Sequence, residues 1–322
     1  MKNTTLELPL LQIMGPTASG KSQLALALAK KIPAEIISVD SVMIYRGMDI
    51  GSAKPSLKEQ QSQPHHLLDI LDPSQTYSAG QFCQDASALI KNIQQRGKFP
   101  ILVGGTMLYF KALQFGIAKL PPACATLRKQ LQALKQLHGS PYLWQQLHTV
   151  DPTTANRLNP NDSQRIERAL EVFQLSNKPL SSWLDASKKE HPNKHHFLSC
   201  ALMPDNRSML HECINQRLDT MFTQDWLNEA EKLYQQNLDP KLPAMRAVGY
   251  QQMWPYFQGQ YNLQTLRNRI LFATRQLAKR QLTWLKPWPE LHSISMTLPL
   301  EEKCNTILAK IKHLETAVHP SS

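Results

Sequence analysis

The eight residues Gly15–Pro16–Thr17–Ala18–Ser19–Gly20–Lys21–Ser22 fit the pattern G-x-x-x-x-G-K-[ST] in full, and that pattern grips phosphate. Its glycines let the backbone curl until successive N–H groups point at phosphate oxygens. The lysine adds a charge, and the serine hydroxyl can ligate Mg²⁺. This P-loop needs an apolar strand before it and a helix after it, whose N-terminus faces the same anion. Leu10–Met14 supplies the strand, and Ser22–Lys31, rich in Ala and Leu, supplies the helix. Such a loop recognises phosphates and not the group attached to them. It leaves open a kinase for a small metabolite and an RNA-binding protein with a nucleotide switch. A kinase or nucleic-acid ATPase normally places an acidic residue at the end of a second apolar strand. Glu35–Val39 ends in one, Asp40, whereas Phe99–Val103 ends in Gly104–Gly105–Thr106. Asp40 can therefore serve as a metal partner, as a base, or as the cap of a turn.

The elements that must position these residues alternate. Leu10–Met14, Glu35–Val39 and Phe99–Val103 read as strands, Ala79–Gln95 reads as a helix, and another helix starts at Thr106. Strands alternating with helices imply a parallel sheet covered on both faces. After Leu120–Pro121–Pro122 the pattern changes to helical patches (Thr126–Leu137, Tyr142–His148, Asp162–Leu175) without a strand, up to about Glu190. Phe197–Met203 reads as a buried strand returning to the sheet. The chain is then mostly helical to Pro287, with breaks near Asp239–Pro243 and Pro255–Gly259, and one further helix follows Pro299. The expected fold is α/β. A P-loop NTPase-like parallel sheet core comes from residues 1–120 and 197–322, with a C-terminal helical region, and residues 121–196 form a helical insertion domain.

Composition narrows the class. Of 322 residues 42% are apolar, enough for a sizeable core. No run of about 18 apolar residues occurs, so no membrane span is expected. Met1–Pro9 lacks a long apolar stretch behind a basic start, so no signal sequence is expected either. The five cysteines form no Cys-x-x-Cys pair, which fits a reducing cytoplasm rather than a disulfide framework or zinc site.

The net charge of +11 favours polyanionic partners. Between Asp239 and Glu290 there is no acidic residue, while Lys241, Arg246, Arg267, Arg269, Arg275, Lys279, Arg280 and Lys286 alternate with Tyr250, Trp254, Tyr256, Phe257, Tyr261, Trp284 and Trp288. That mixture reads as a nucleic-acid surface or as a solvated basic face with its aromatics in the core.

Further strings stand in a fixed order. The first is Asp40–Ser41–Val42–Met43–Ile44–Tyr45–Arg46–Gly47–Met48–Asp49–Ile50–Gly51–Ser52–Ala53–Lys54–Pro55. It is followed by Pro64–His65–His66–Leu67–Leu68–Asp69, Gly104–Gly105–Thr106–Met107–Leu108–Tyr109 and Gln164–Arg165–Ile166–Glu167–Arg168. Arg246–Ala247–Val248–Gly249–Tyr250 and Lys279–Arg280–Gln281–Leu282–Thr283–Trp284–Leu285–Lys286 complete the set. Together with the P-loop they resemble the bacterial tRNA dimethylallyltransferase (isopentenyltransferase) family, from about Leu10 to Lys286.

The resemblance implies an enzyme that transfers a dimethylallyl group from dimethylallyl diphosphate to N6 of the adenosine 3′-adjacent to the anticodon, releasing diphosphate, with Mg²⁺ as cofactor. The loop would then hold an isoprenoid diphosphate rather than ATP, with Lys21 and an Mg²⁺ on Ser22 neutralising the leaving group. Asp40 matches the family's proposed general base and Thr106 its threonine near the reacting centre; an N-cap is the structural alternative for Thr106. The positions matching tRNA contacts are Asp40, Ser41, Val42, Met43, Thr106, Arg128, Gln164 to Arg168, Arg246 to Gln251 and Lys279 to Lys286. The alternative for Gln164–Arg168 is a salt-bridged helix face, since Arg165, Glu167, Arg168 and Glu171 can pair along it; for Trp284 it is core packing.

The implied partners are dimethylallyl diphosphate and the anticodon stem-loop of tRNA, bound by a monomer in the cytoplasm, away from membranes. His65–His66 read as structural. Arg207 and Arg217 fall on the helix after the last strand, where P-loop transferases often place phosphate-binding arginines, and are left unassigned. Met43 stands where many members have Gln, Ser22 and Ser52 where Thr is frequent, and Gln251 and Lys286 where Arg is common. Lysine cannot reproduce a bidentate phosphate grip.

Overall fold

A computed structural model describes residues 9–189 and 196–318. The expectations for the first eight residues, for the end of the insertion at 190–195 and for the last four residues lie outside the described residues. The first half of the sheet unit runs β1 (Leu10–Met14), α1 (Lys21–Ala29), β2 (Ala34–Val39), α2 (Leu57–Ser62), β3 (His65–His66), α3 (Ala79–Gln95), β4 (Phe99–Gly104) and α4 (Met107–Phe115). A helical run follows: α5 (Ala125–His138), α6 (Ser140–Val150), α7 (Pro152–Ala155), α8 (Ser163–Ser176) and α9 (Leu180–Lys189). The chain then returns as β5 (Phe197–Met203), α10 (Arg207–Thr223), α11 (Trp226–Tyr234), α12 (Tyr250–Phe257), α13 (Leu263–Leu285), β6 (His292–Ser295) and α14 (Leu300–Val318).

The strands form one parallel sheet in the order β3-β2-β4-β1-β5-β6. β1, β2 and β4 are buried at every residue, as near-continuous apolar strands must be when helices cover both faces. Along β1 the side chains alternate. Leu11 and Ile13 join Leu24 and Leu28 of α1, Ile214 of α10 and Ile307 of α14; Leu10 and Met14 join Phe82 and Ile90 of α3 and Phe110 of α4. A third core packs Ile44, Tyr45 and Met48, from the chain just after β2, against Trp226, Tyr250 and Ile270 of the C-terminal helices.

Two edge strands escape a reading by apolar runs. β3 is two histidines and β6 reads His-Ser-Ile-Ser; an edge strand needs little apolar content, because it is not covered on all sides. His66 serves the structural part expected of it. Its Nε2 lies 2.7 Å from Glu35, a β2 carboxylate 3% exposed that also takes Arg96 at 2.7 Å and Lys98 at 3.0 Å. Burial alone would raise the Glu35 pKa, but the hydrogen bonds from Arg96, His66 and Lys98 outweigh it and hold the carboxyl down to about 2.

The chain divides into two compact units, one holding the sheet and one spanning residues 115–193. The second has its own core of Leu131, Leu143, Leu147, Ala155, Ile166, Ala169 and Leu170. Its α8 carries Glu171, fully buried, which accepts from the Cys124 N–H at 2.8 Å, Arg128 Nε at 2.9 Å and Arg168 Nη1 at 2.6 Å.

Candidate active site

Three neighbouring strands deliver the candidate residues to one end of the sheet. β2 ends at Asp40, β4 at Gly104–Gly105–Thr106, and β1 runs into the Gly15–Ser22 loop; because all are parallel, the three carboxyl ends lie side by side in the order β2-β4-β1. The connection out of β1 runs to β2 on one side and that out of its neighbour β4 runs to β5 on the other, and such a switch point is where open α/β sheets bind ligands. A cavity of about 230 Å³ occupies it, lined by residues 17–22, Asp40, Val42, Met43, Gly51, Ser52, Gly104, Gly105, Arg217, Val248, Gly249 and Gln281.

Asp40 is held rather than loose. Its Oδ1 accepts from the Val42 N–H at 2.8 Å and the Met43 N–H at 3.3 Å, so it does cap a turn. The Thr106 hydroxyl accepts from the Ser41 N–H at 3.0 Å and donates to Ser41 Oγ at 3.3 Å. Asp40 and Thr106 are thus joined through a single intervening residue. The closeness of β2 and β4 here depends on Gly104: a Cβ on it would overlap the Val39 carbonyl, which accepts from the Thr106 N–H at 3.2 Å.

Two cations face Asp40 across the cleft. Lys21 Nζ donates to the Pro16 carbonyl at 2.6 Å, and Arg217 Nη1 donates to Thr17 Oγ1 at 2.7 Å. Burial and the neighbouring Arg217 guanidinium lower the Lys21 pKa to about 7, against the pull of Asp40. With its pKa lowered to about 7 the ammonium is only partly charged near neutral pH, and an anion bound beside it favours the charged form. Inorganic diphosphate binding at pH 8 should therefore draw a proton onto the protein, while well below pH 7 this uptake vanishes because Lys21 is already charged. Calorimetry in buffers of unlike ionisation enthalpy measures it; absence of uptake at pH 8 would show a fully charged lysine.

The Ser22 side chain opens on the cleft. Among the described residues no group of three or more His, Cys, Asp or Glu could hold a metal ion. A hydroxyl beside a phosphate loop fits Mg²⁺, which takes few protein donors and completes its shell with phosphate oxygens and water. The wall opposite is braced from outside the cleft. Glu229 accepts from the N–H groups of Asp49, Ile50 and Gly51 at 2.8, 2.8 and 3.0 Å. Lys54, with a side chain 2% exposed, donates to the Tyr45 carbonyl at 2.9 Å and to Asp49 and Asp69.

The other expected positions separate. Ser41, Arg246, Gln251, Lys279, Arg280, Thr283, Trp284 and Lys286 are exposed, and Leu282 is half-buried. Ala247, Tyr250 and Leu285 are corrected from RNA-facing to packing side chains. They are buried, and the Tyr250 hydroxyl is spent on Glu229 at 2.6 Å. Gln281 is buried as well. Of the aromatics in the basic stretch Phe272 and Trp284 are exposed, Trp284 with Lys111 above its ring at 5.5 Å; the others pack in the cores. The cations are not all unopposed, since Arg267 meets Asp219 at 2.6 Å.

Within the helical unit, Ile166 is corrected to a core residue. Arg128 and Arg168 share Glu171, Arg165 reaches Asp162 at 3.2 Å, and Glu167 takes Lys135 at 2.9 Å. Gln164, Arg165 and Arg168 line a cleft of that unit together with Arg157. Arg217 is the residue that sequence reasoning left unassigned and the structure brings into the site, on the helix flagged for such a role. Arg207 is exposed and outside the cleft. Glu229 had no signal, because its partners are backbone groups about 180 residues away.

The profile of the family described as "IPP transferase" matches residues 43–288. A tRNA dimethylallyltransferase of Coxiella burnetii is 50% identical over 279 residues, 86% of this chain and 89% of the relative. One from Herminiimonas arsenicoxydans is 51% identical over 302 residues, 93% of each. Among solved structures, the full-length tRNA isopentenylpyrophosphate transferase of Bacillus halodurans superposes with a TM-score of 0.71 at 33% identity, over 97% of this chain and 99% of that one. A eukaryotic dimethylallyltransferase acting on tRNA gives 0.78 at 26% identity, over 97% and 80%. No helix among the described residues is long and apolar enough to cross a membrane.

Proposed function

This chain belongs to the IPP transferase family, and we propose that it is a tRNA dimethylallyltransferase, moving a dimethylallyl group from dimethylallyl diphosphate to N6 of the adenosine 3′-adjacent to the anticodon. The observation that carries the reading is the meeting of a phosphate loop, a fixed carboxylate and a threonine hydroxyl at three adjacent strand ends. Adenine N6 attacks the allylic carbon as the bond from that carbon to the diphosphate oxygen breaks. Asp40 takes the N6 proton, and diphosphate departs with the bonding electrons. Loop N–H groups, Lys21 and Arg217 stabilise the departing charge. Ser22 would hold Mg²⁺ together with the ligand's own oxygens, and the ion would add to that neutralisation. Thr106, beside Asp40, can hydrogen-bond an oxygen at the reacting centre. The target base must leave its stack to reach such a cleft.

The protein is mixed with labelled dimethylallyl diphosphate, Mg²⁺ and unmodified tRNA. Label in the RNA is expected; none, alongside phosphate transfer from ATP to a metabolite, would make the protein a kinase. The exposed Lys279, Arg280 and Lys286 are assigned to RNA phosphates, and Arg128, Gln164, Arg165 and Arg168 of the helical unit to the anticodon stem-loop. Each α13-segment cation changed to Ala should reduce the slope of log affinity against log salt by about 0.7–0.9. An unchanged slope would return those residues to plain solvent exposure.

A further inference from the structure

Gln281 lies on α13, among the cations assigned to RNA, yet it is 7% exposed. Burial of a primary amide is costly unless both ends find partners, and here they do. Oε1 accepts from the Thr17 N–H at 2.8 Å, and Nε2 donates to the Gly105 carbonyl at 2.9 Å. The first partner belongs to the phosphate loop and the second immediately precedes Thr106. One side chain therefore spans the two halves of the cleft. Gly105 leaves the room for it, because a Cβ there would overlap the Gln281 amide nitrogen. Thr17 is gripped twice, by Gln281 at its backbone and by Arg217 at its hydroxyl.

We propose that Gln281 is a positioning residue for the transfer reaction, a clasp that sets the distance between the diphosphate loop and the Asp40–Thr106 side of the cleft. This rests on the function proposed above. Displacement at the allylic carbon needs leaving group and nucleophile aligned, and a misplacement of about 1 Å costs on the order of 10²-fold in rate. The clasp acts on that alignment through its bonds to Thr17 and Gly105, which occupy both ends of its amide, so its signature is a loss of kcat at unchanged affinities.

The test uses Gln281→Met, which keeps length and volume but makes neither hydrogen bond, together with Gly105→Ala, which displaces the same amide from its other end. At saturating substrates each should lower kcat about 10- to 100-fold. Affinities for tRNA and for inorganic diphosphate should stay within about threefold, which also reports that the loop is folded. The double variant should be no slower than Gln281→Met, since both changes open one clasp. A tenfold weaker tRNA affinity with kcat intact would make Gln281 an RNA contact and overturn the proposal, as would additive effects or an unaffected kcat. Wild-type protein run alongside separates the two layers: a wild type that labels no RNA overturns the transfer reading, whereas an active wild type with an equally active Gln281→Met overturns the clasp alone.

Discussion

Asp40→Asn is expected to lower dimethylallyl transfer by about 10²- to 10⁴-fold, the range for removing a positioned general base, while tRNA and diphosphate binding stay near normal. The substitution is well posed because Asp40 has two tasks that asparagine splits. The Oδ1 atom that accepts from Val42 and Met43 survives in the amide, so the turn after β2 keeps its cap. What disappears is the capacity to take a proton. The negative charge that supports the ammonium of Lys21 and the guanidinium of Arg217 also goes, and its loss does not repel a diphosphate. Single-turnover labelling and filter binding of tRNA separate the outcomes. A binding loss as large as the rate loss would make Asp40 a positioning group, and an unchanged rate would remove it from the chemistry.

Gly104→Ala is expected to do as much damage from a residue with no side chain to offer a substrate. The added methyl would enter the Val39 carbonyl, and that obstacle is backbone in a fully buried strand. It cannot rotate away as a flexible side chain could. Either β2 and β4 part at their carboxyl ends or the chain refolds locally. We expect a destabilisation of about 3 kcal/mol or more in urea unfolding, at the upper end for overpacking. The protein that still folds should transfer at least about 100-fold more slowly, because Asp40 follows Val39 directly and Thr106 hangs on its carbonyl. Wild-type stability and rate would show that the strand ends can spread without harm to the site.

The parts of this architecture that were legible in the sequence are those written locally. The loop, the strand before it and the helix after it announce themselves within twenty residues, and Asp40 and Thr106 stand out because each ends an apolar run. β3 and β6 were not legible, since two histidines and a polar tetrapeptide carry no period. The basic stretch from Lys241 onward reads the same whether its aromatics face RNA or the core, and packing against Ile44, Tyr45 and Met48 turns Tyr250, Trp254 and Tyr261 inward while Phe272 and Trp284 stay exposed. Motif resemblance named strings of residues without sorting faces. Within one string Lys279 is exposed, Leu285 is core and Gln281 points its amide at the phosphate loop. Partnerships of long sequence separation, such as Glu229 with Gly51 or Arg217 with Thr17, follow only from the assembled sheet.

The separation of Thr17 from Gln281, 264 positions along the chain, also has a meaning in time. The phosphate loop leaves the ribosome well before its backbone partner is made. At roughly 5–20 residues per second, the loop waits on the order of 13–50 s before the glutamine that fixes it has been made. Throughout that interval a nascent chain carries a phosphate grip without its clasp, and for the first 200 residues after Thr17 without its second cation, Arg217. A diphosphate that met it would find neither the alignment nor the dry cleft for transfer. Alignment by the clasp thus arrives only when α13 docks, and a chain that stops short of Gln281 lacks it.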